Sequence, residues 1–235
     1  MDMTLMQNLL SKATKLTKRG ALTMAAAFLA LSLAMPAMAA RDSDGSEVEL
    51  DDTQLAAVDE VNRKFNEMTT LQGNFIQVGP YGERAEGRFF LQKPGKIRFE
   101  YAPPSQLLVV SNGVWVGVTD KADKTTDRYP LRTTPLHLLL TQEIDLFEDT
   151  KIAEVYNDNG LITLVLEDVS GEAIGRLTLL FDAETLDLYQ WIVTDAQGLD
   201  TVVTLTDVKE DEPANEVLFV IPEDERFKRF DTDGN

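Results

Sequence analysis

The chain of 235 residues carries 22 Lys and Arg against 40 Asp and Glu, a formal net charge of −18, with one His and no Cys. So acidic a balance argues against nucleic acid and against adhesion to an anionic membrane surface. Without Cys there are no disulfides and no thiolate metal sites, so the fold rests on its apolar core.

Residues 1–39 read as a secretory signal. Lys12, Lys15, Lys18 and Arg19 precede an apolar run over 21–35, and Ala37-Met38-Ala39 has the small-x-small form of a cleavage site. About fifteen apolar residues fall short of the roughly twenty that span a bilayer. Position 40 is Ala, whereas a bacterial lipid anchor needs Cys at the cleavage site, so the expectation is an exported, released and monomeric protein. Residues 40–235 would then hold 18 basic and 39 acidic side chains, a charge of −21. Residues 40–50 read as an acidic flexible leader, 51–230 as one domain and 231–235 as a tail.

Leu55, Val58, Val61, Phe65 and Met68 recur at spacings of three and four, which predicts an amphipathic helix packed on a sheet and capped by Asp51 or Asp52. Strands follow over 71–78, 87–92 and 96–101. In the third, Lys96, Arg98 and Glu100 alternate with Ile97, Phe99 and Tyr101, placing charges on one face and apolar groups on the other. Lys93-Pro94-Gly95 has the composition of a tight turn between them. Asn112-Gly113 joins strands over 106–111 and 114–119, and 120–127 reads as a polar loop. Thr134-Pro135 opens a short second helix with Leu136, Leu138, Leu139 and Leu140, Thr capping and Pro at the first helical position. Further strands are predicted over 152–156, 161–167, 174–182, 188–194, 201–209 and 217–221. Ten or eleven strands with two small helices predict a sandwich or barrel. Either two layers pack together or one sheet curls around an apolar cavity; the pattern leaves both open.

The chain offers little for catalysis. His137 has no Cys to activate and no second His with which to share a metal, so it reads as a helix residue. Asp51-Asp52, Glu210-Asp211-Glu212 and Glu223-Asp224-Glu225 sit in turns and linkers and read as solvated. No spacing fits a calcium loop, a phosphate loop or a hydrolase elbow. The expectation is a protein that is not an enzyme and holds no cofactor.

Several marks in order resemble the LolA family of periplasmic lipoprotein carriers. They are Phe75-x-Gln77, Gly87-x-Phe89 leading to Lys93-Pro94, Ile97-x-Phe99-x-Tyr101 ending at Pro103-Pro104, the run from Leu108 to Gly113 with Trp115 close behind, and Thr134-Pro135-Leu136. The resemblance implies a strongly curved, incompletely closed antiparallel β-barrel with a small helical lid over a cavity for acyl chains. It further implies that acylated lipoproteins pass from an inner-membrane ABC transporter to an outer-membrane acceptor. On it, Ile97, Phe99, Tyr101, Val109, Trp115 and Trp191 are expected at the acyl cavity, and Leu136, Leu139 and Leu140 on the lid. Lys93 stands where well-studied members carry Arg bonded to the lid. Lys keeps the charge and loses the planar five-donor fork, so the expected latch is weaker. The related acceptor LolB is itself a lipoprotein, which Ala40 disfavours. A paralogous carrier of another acylated molecule or lipid, or a combined carrier and acceptor, is the alternative.

Overall fold

The computed structural model describes residues 50–224. The expected signal, nearly all of the leader, the last residues of the domain and the tail lie outside that range.

Helix α1 (Asp52–Glu67) starts where Asp51 accepts from the Gln54 amide and the Gln54 side chain accepts from the Asp51 amide, a reciprocal capping box. Of its predicted stripe, Val58, Val61, Phe65 and Met68 are buried, whereas Leu55 is largely exposed at the first turn. Eleven strands follow: β1 (Thr70–Val78), β2 (Arg84–Gln92), β3 (Lys96–Tyr101), β4 (Leu107–Asn112), β5 (Trp115–Asp120), β6 (Thr125–Pro130), β7 (Thr150–Asp158), β8 (Leu161–Asp168), β9 (Arg176–Asp182), β10 (Leu188–Thr194) and β11 (Asp200–Glu210). They form one antiparallel sheet in the order β6-β5-β4-β3-β2-β1-β11-β10-β9-β8-β7. β6 and β7 are its two edges and do not pair, so the sheet is not closed.

Ring contacts show how far the sheet curls. Phe99 on β3 and Trp191 on β10 lie four strand steps apart, roughly 19 Å on a flat sheet, yet their ring centroids are 6.0 Å apart. The right-handed twist, accumulated over the intervening strands, folds one face inward. On that concave face a single apolar cluster takes residues from β1–β5, β7–β11 and both helices. This is a curled sheet filled by its own helices, not two packed layers.

The connection from β6 to β7 covers the concave face beside α1. It contains a 3-10 turn (Leu131–Thr133) and α2 (Leu136–Leu140). Thr134 does not cap α2 as expected: its hydroxyl donates to the Leu131 carbonyl, and Pro135 precedes the helix without a side-chain cap. Two asparagines on α1 hold the covering pieces together. Asn66 donates to the Ile144 carbonyl at 2.8 Å and accepts from the Ile144 amide at 3.0 Å, and Asn62 accepts from the Leu146 amide at 3.2 Å.

Two segments depart from the sequence reading. The expected polar loop at 120–127 contains the first half of β6, an edge strand whose Thr, Asp and Arg residues conceal any apolar alternation, as edge strands do. The expected last strand at 217–221 is instead a 3-10 turn (Glu216–Phe219) running into a strap on the convex face. Phe219 and Ile221 alternate because both bury against the sheet, without ladder partners. Ile221 packs with Leu108 and Val110 and over Gly117, where no Cβ would fit. Lys96 pairs with Glu216 at 2.7 Å and Arg98 donates to the Leu218 carbonyl, which pins the strap.

Replacing Asn66 with Ala removes both bonds to Ile144. At about 1 kcal/mol each, the loss is roughly 1–3 kcal/mol of stability. Hydrogen exchange should show lost protection at the Ile144 amide with the β1–β11 ladder unchanged; retained protection there would show that the asparagine does not hold the cover.

Candidate functional site

The apolar half of β3 faces inward as its alternation predicts. Ile97, Phe99 and Tyr101 are buried with Val109 of β4 and Trp191 of β10, in one cluster with Val58, Val61 and Phe65 of α1. Leu139 and Leu140 of α2 join that cluster, and Leu136 is half-buried against it. The rings meet edge to face: Phe75 lies 4.9 Å from Phe99 and 5.1 Å from Tyr101, and Phe65 lies 6.3 Å from Phe181. Such pairs contribute about 0.5–1.5 kcal/mol beyond area burial. Tyr101 donates from its hydroxyl to Gln77 Oε1 at 2.7 Å, and burial pushes its phenol well above the usual range.

Trp115 is placed elsewhere. It opens β5 next to Val116 and Val118, which face inward, so alternation turns Trp115 away from the concave cluster, and it stays 43% exposed. The expectation from the family resemblance that it lines the concave face is not met, because Val116 and Val118 take the inward register.

Lys93 is the polar group at the centre of the arrangement. It is 8% exposed, ends the β2–β3 hairpin and reaches α1 rather than the Leu-rich α2. Its Nζ donates to the Phe65 carbonyl at 2.7 Å and lies 3.5 Å from the centroid of the Phe65 ring. That carbonyl belongs to the last turn of α1, where four acceptors lack helical partners and the helix dipole is negative. The same turn touches every part of the cover. The Lys93 amide donates to Thr69 O, and the Gly95 amide donates to Leu140 O at 2.8 Å at the end of α2. Gly95 has φ +74° and lies against Gly113, so a side chain there would meet the neighbouring turn. On the opposite flank of α1, Lys64 pairs with Glu210 at 3.0 Å and Asp187 at 3.6 Å, which raises its pKa.

Sequence reasoning missed Asn62, Asn66 and the Phe65 carbonyl. A signal existed for the asparagines: they flank the apolar stripe four residues apart, in a helix interior where Asn is otherwise unfavourable. A backbone acceptor leaves no signal of this kind. His137 sits on α2, its Nδ1 2.8 Å from Thr134 O and its Nε2 3.8 Å from Asp168. Among the described residues no three His, Cys, Asp or Glu side chains group as metal ligands.

The family model described as outer membrane lipoprotein carrier protein LolA matches residues 66–222. The chain belongs to the LolA family. A protein of Chromohalobacter salexigens named outer-membrane lipoprotein carrier protein is 28% identical over 203 residues, covering 82% of this chain and 90% of that one. One of the same name from Methylococcus capsulatus is 32% identical over 120 residues, covering 47% of this chain and 57% of that protein. Among solved structures, an outer membrane lipoprotein-sorting protein domain from Vibrio parahaemolyticus aligns with a TM-score of 0.47 at 10% identity, over 69% of this chain and 94% of that one.

Burial pushes the Lys93 ammonium down from 10.5 to about 7. Among the described residues no carboxylate pairs with it. Between pH 7 and 10 the unfolded chain therefore binds a proton there that the folded chain lacks, and stability rises with pH across that window. Measured against Lys93→Met, urea stability of the parent should be level below pH 7 and rise toward about 1.4 kcal/mol per pH unit above it. A difference that stays flat from pH 6 to 9 would show that Lys93 keeps its proton in the folded state.

Proposed function

We propose that this chain is a periplasmic carrier that shelters the acyl chains of lipoproteins on its concave face. It takes them from an inner-membrane ABC transporter and gives them to an outer-membrane acceptor, working as a monomer without catalysis of its own. The carrying observation is the aromatic face formed by Phe75, Phe99, Tyr101 and Trp191, covered by pieces tied to the sheet by a few polar bonds. Membership of the LolA family and the printed names of the relatives support the same reading.

In this account Ile97, Phe99, Tyr101, Val109 and Trp191 contact the acyl chain, while Leu136, Leu139 and Leu140 move with the cover. Lys93 is the latch. A chain of about sixteen carbons costs on the order of 12 kcal/mol to expose, at roughly 0.8 kcal/mol per CH₂, so unaided diffusion across water is closed to the cargo. When the cover lifts, the acyl chain replaces helix side chains on the sheet. One apolar contact is exchanged for another, and the carrier needs no nucleotide to let go.

The chain has two tryptophans, so Trp115→Phe leaves Trp191 as the sole reporter of the concave face. A triacylated lipopeptide with brominated chains should quench Trp191 fluorescence by more than half at a ratio of one to one and remain soluble with the protein in gel filtration. The same peptide without acyl chains should do neither. Absence of both effects with the acylated peptide would contradict the carrier reading.

A further inference from the structure

A second apolar hollow lies outside the cover. It has a volume of about 610 Å³ and sits between the β2–β3 turn, the β4–β5 turn, the end of β6 and α2. Its apolar walls include Pro94, Val114, Trp115, Pro130, Leu131 and Leu140. The size falls within the usual range for small-molecule sites. Val114, 64% exposed, and Trp115, 43% exposed, leave it open to solvent.

Its lining differs from the rest of this acidic chain. In a protein of net charge −18, the ionisable side chains lining this hollow are Arg132 and His137, and among the described residues no carboxylate lines it. Both have acidic neighbours beyond the hollow: Arg132 Nε lies 3.2 Å from Glu172, and His137 Nε2 lies 3.8 Å from Asp168. The Arg132 pair is exposed on both sides, so it contributes little and the guanidinium can be shared with an incoming carboxylate. Thr133, Thr141 and Gln142 add polar groups along the wall. Apolar walls with a guanidinium at the rim match an amphiphile with one anionic end and one apolar chain.

We propose that this hollow is a binding site for a long-chain fatty acid, with Trp115, Pro94, Pro130 and Leu140 along the chain and Arg132 meeting the carboxylate. It opens on the outer side of the cover, sharing only Leu131 and Leu140 with the concave cluster, and Trp115 belongs to this site. The inference is independent of the carrier reading, because the two tryptophans report on different places: Trp191 on the concave face and Trp115 here.

The test uses the full domain and 9,10-dibromostearate. The fluorescence assigned to Trp115 is the wild-type signal minus that of Trp115→Phe, a difference that needs no change at buried Trp191. Dibromostearate should quench that component saturably by more than half. Arg132→Gln should weaken the apparent affinity about tenfold. The methyl ester of the same acid should bind wild type about tenfold more weakly than the acid and be indifferent to Arg132→Gln. Quenching confined to the Trp191 component would place the acyl chain on the concave face alone and overturn the proposal. Equal binding of acid and ester, or an unchanged affinity in Arg132→Gln, would overturn the role of the carboxylate and with it the fatty-acid assignment.

Discussion

One buried lysine ties α1 to the β2–β3 hairpin. Lys93 leaves water almost completely to reach the Phe65 carbonyl, and burying an amine without a carboxylate partner is costly. Three features offset that cost at one point: an acceptor with no helical partner, the negative end of α1 and the face of the Phe65 ring. All three exist only while the last turn of α1 lies on the β2–β3 hairpin. Gly95 in the same turn holds the end of α2, so both covering pieces are tied to this one hairpin.

On the proposed carrier reading, a well-packed interior and ligand uptake are compatible. The concave face would be apolar whether helices or acyl chains lay on it, so the two would compete, and the ligand would shift a balance between covered and uncovered forms. The apolar contacts nearly cancel in such an exchange. The difference would then fall to the few polar bonds that tie the cover to the sheet, at Lys93, Gly95 and Lys64. A Lys at position 93 adds a property that Arg would lack: its charge titrates near pH 7 when buried, whereas a guanidinium stays charged.

Much of the architecture was legible from period-two alternation and turn chemistry. Ile97, Phe99 and Tyr101 face inward, and Asn112-Gly113 makes the turn between β4 and β5. The alternation at Phe219 and Ile221 misled, because the same period arises when a strap buries every second residue without pairing. β6 was hidden by the polar composition that protects an edge. The choice between two packed layers and one curled sheet could not be read from local pattern at all, since it depends on β3 and β10 meeting across four strand steps. At the site, side chains on one strand were placed well. Lys93 was expected to bond to the lid; its Nζ instead reaches a carbonyl 28 residues earlier on α1, and nothing in the spacing distinguishes that carbonyl from those of α2.

The central claim is that α1 must part from the sheet for an acyl chain to enter. Lys64 on α1 and Glu210 on β11 already lie side by side, and the chain has no cysteine. Lys64→Cys and Glu210→Cys together would therefore carry the only two thiols, available to a short, reducible bifunctional linker. The account predicts that the cross-linked protein fails to take up a fluorescent acyl probe on the concave face and regains uptake when the linker is reduced. Uptake at the same rate with the linker in place would contradict it.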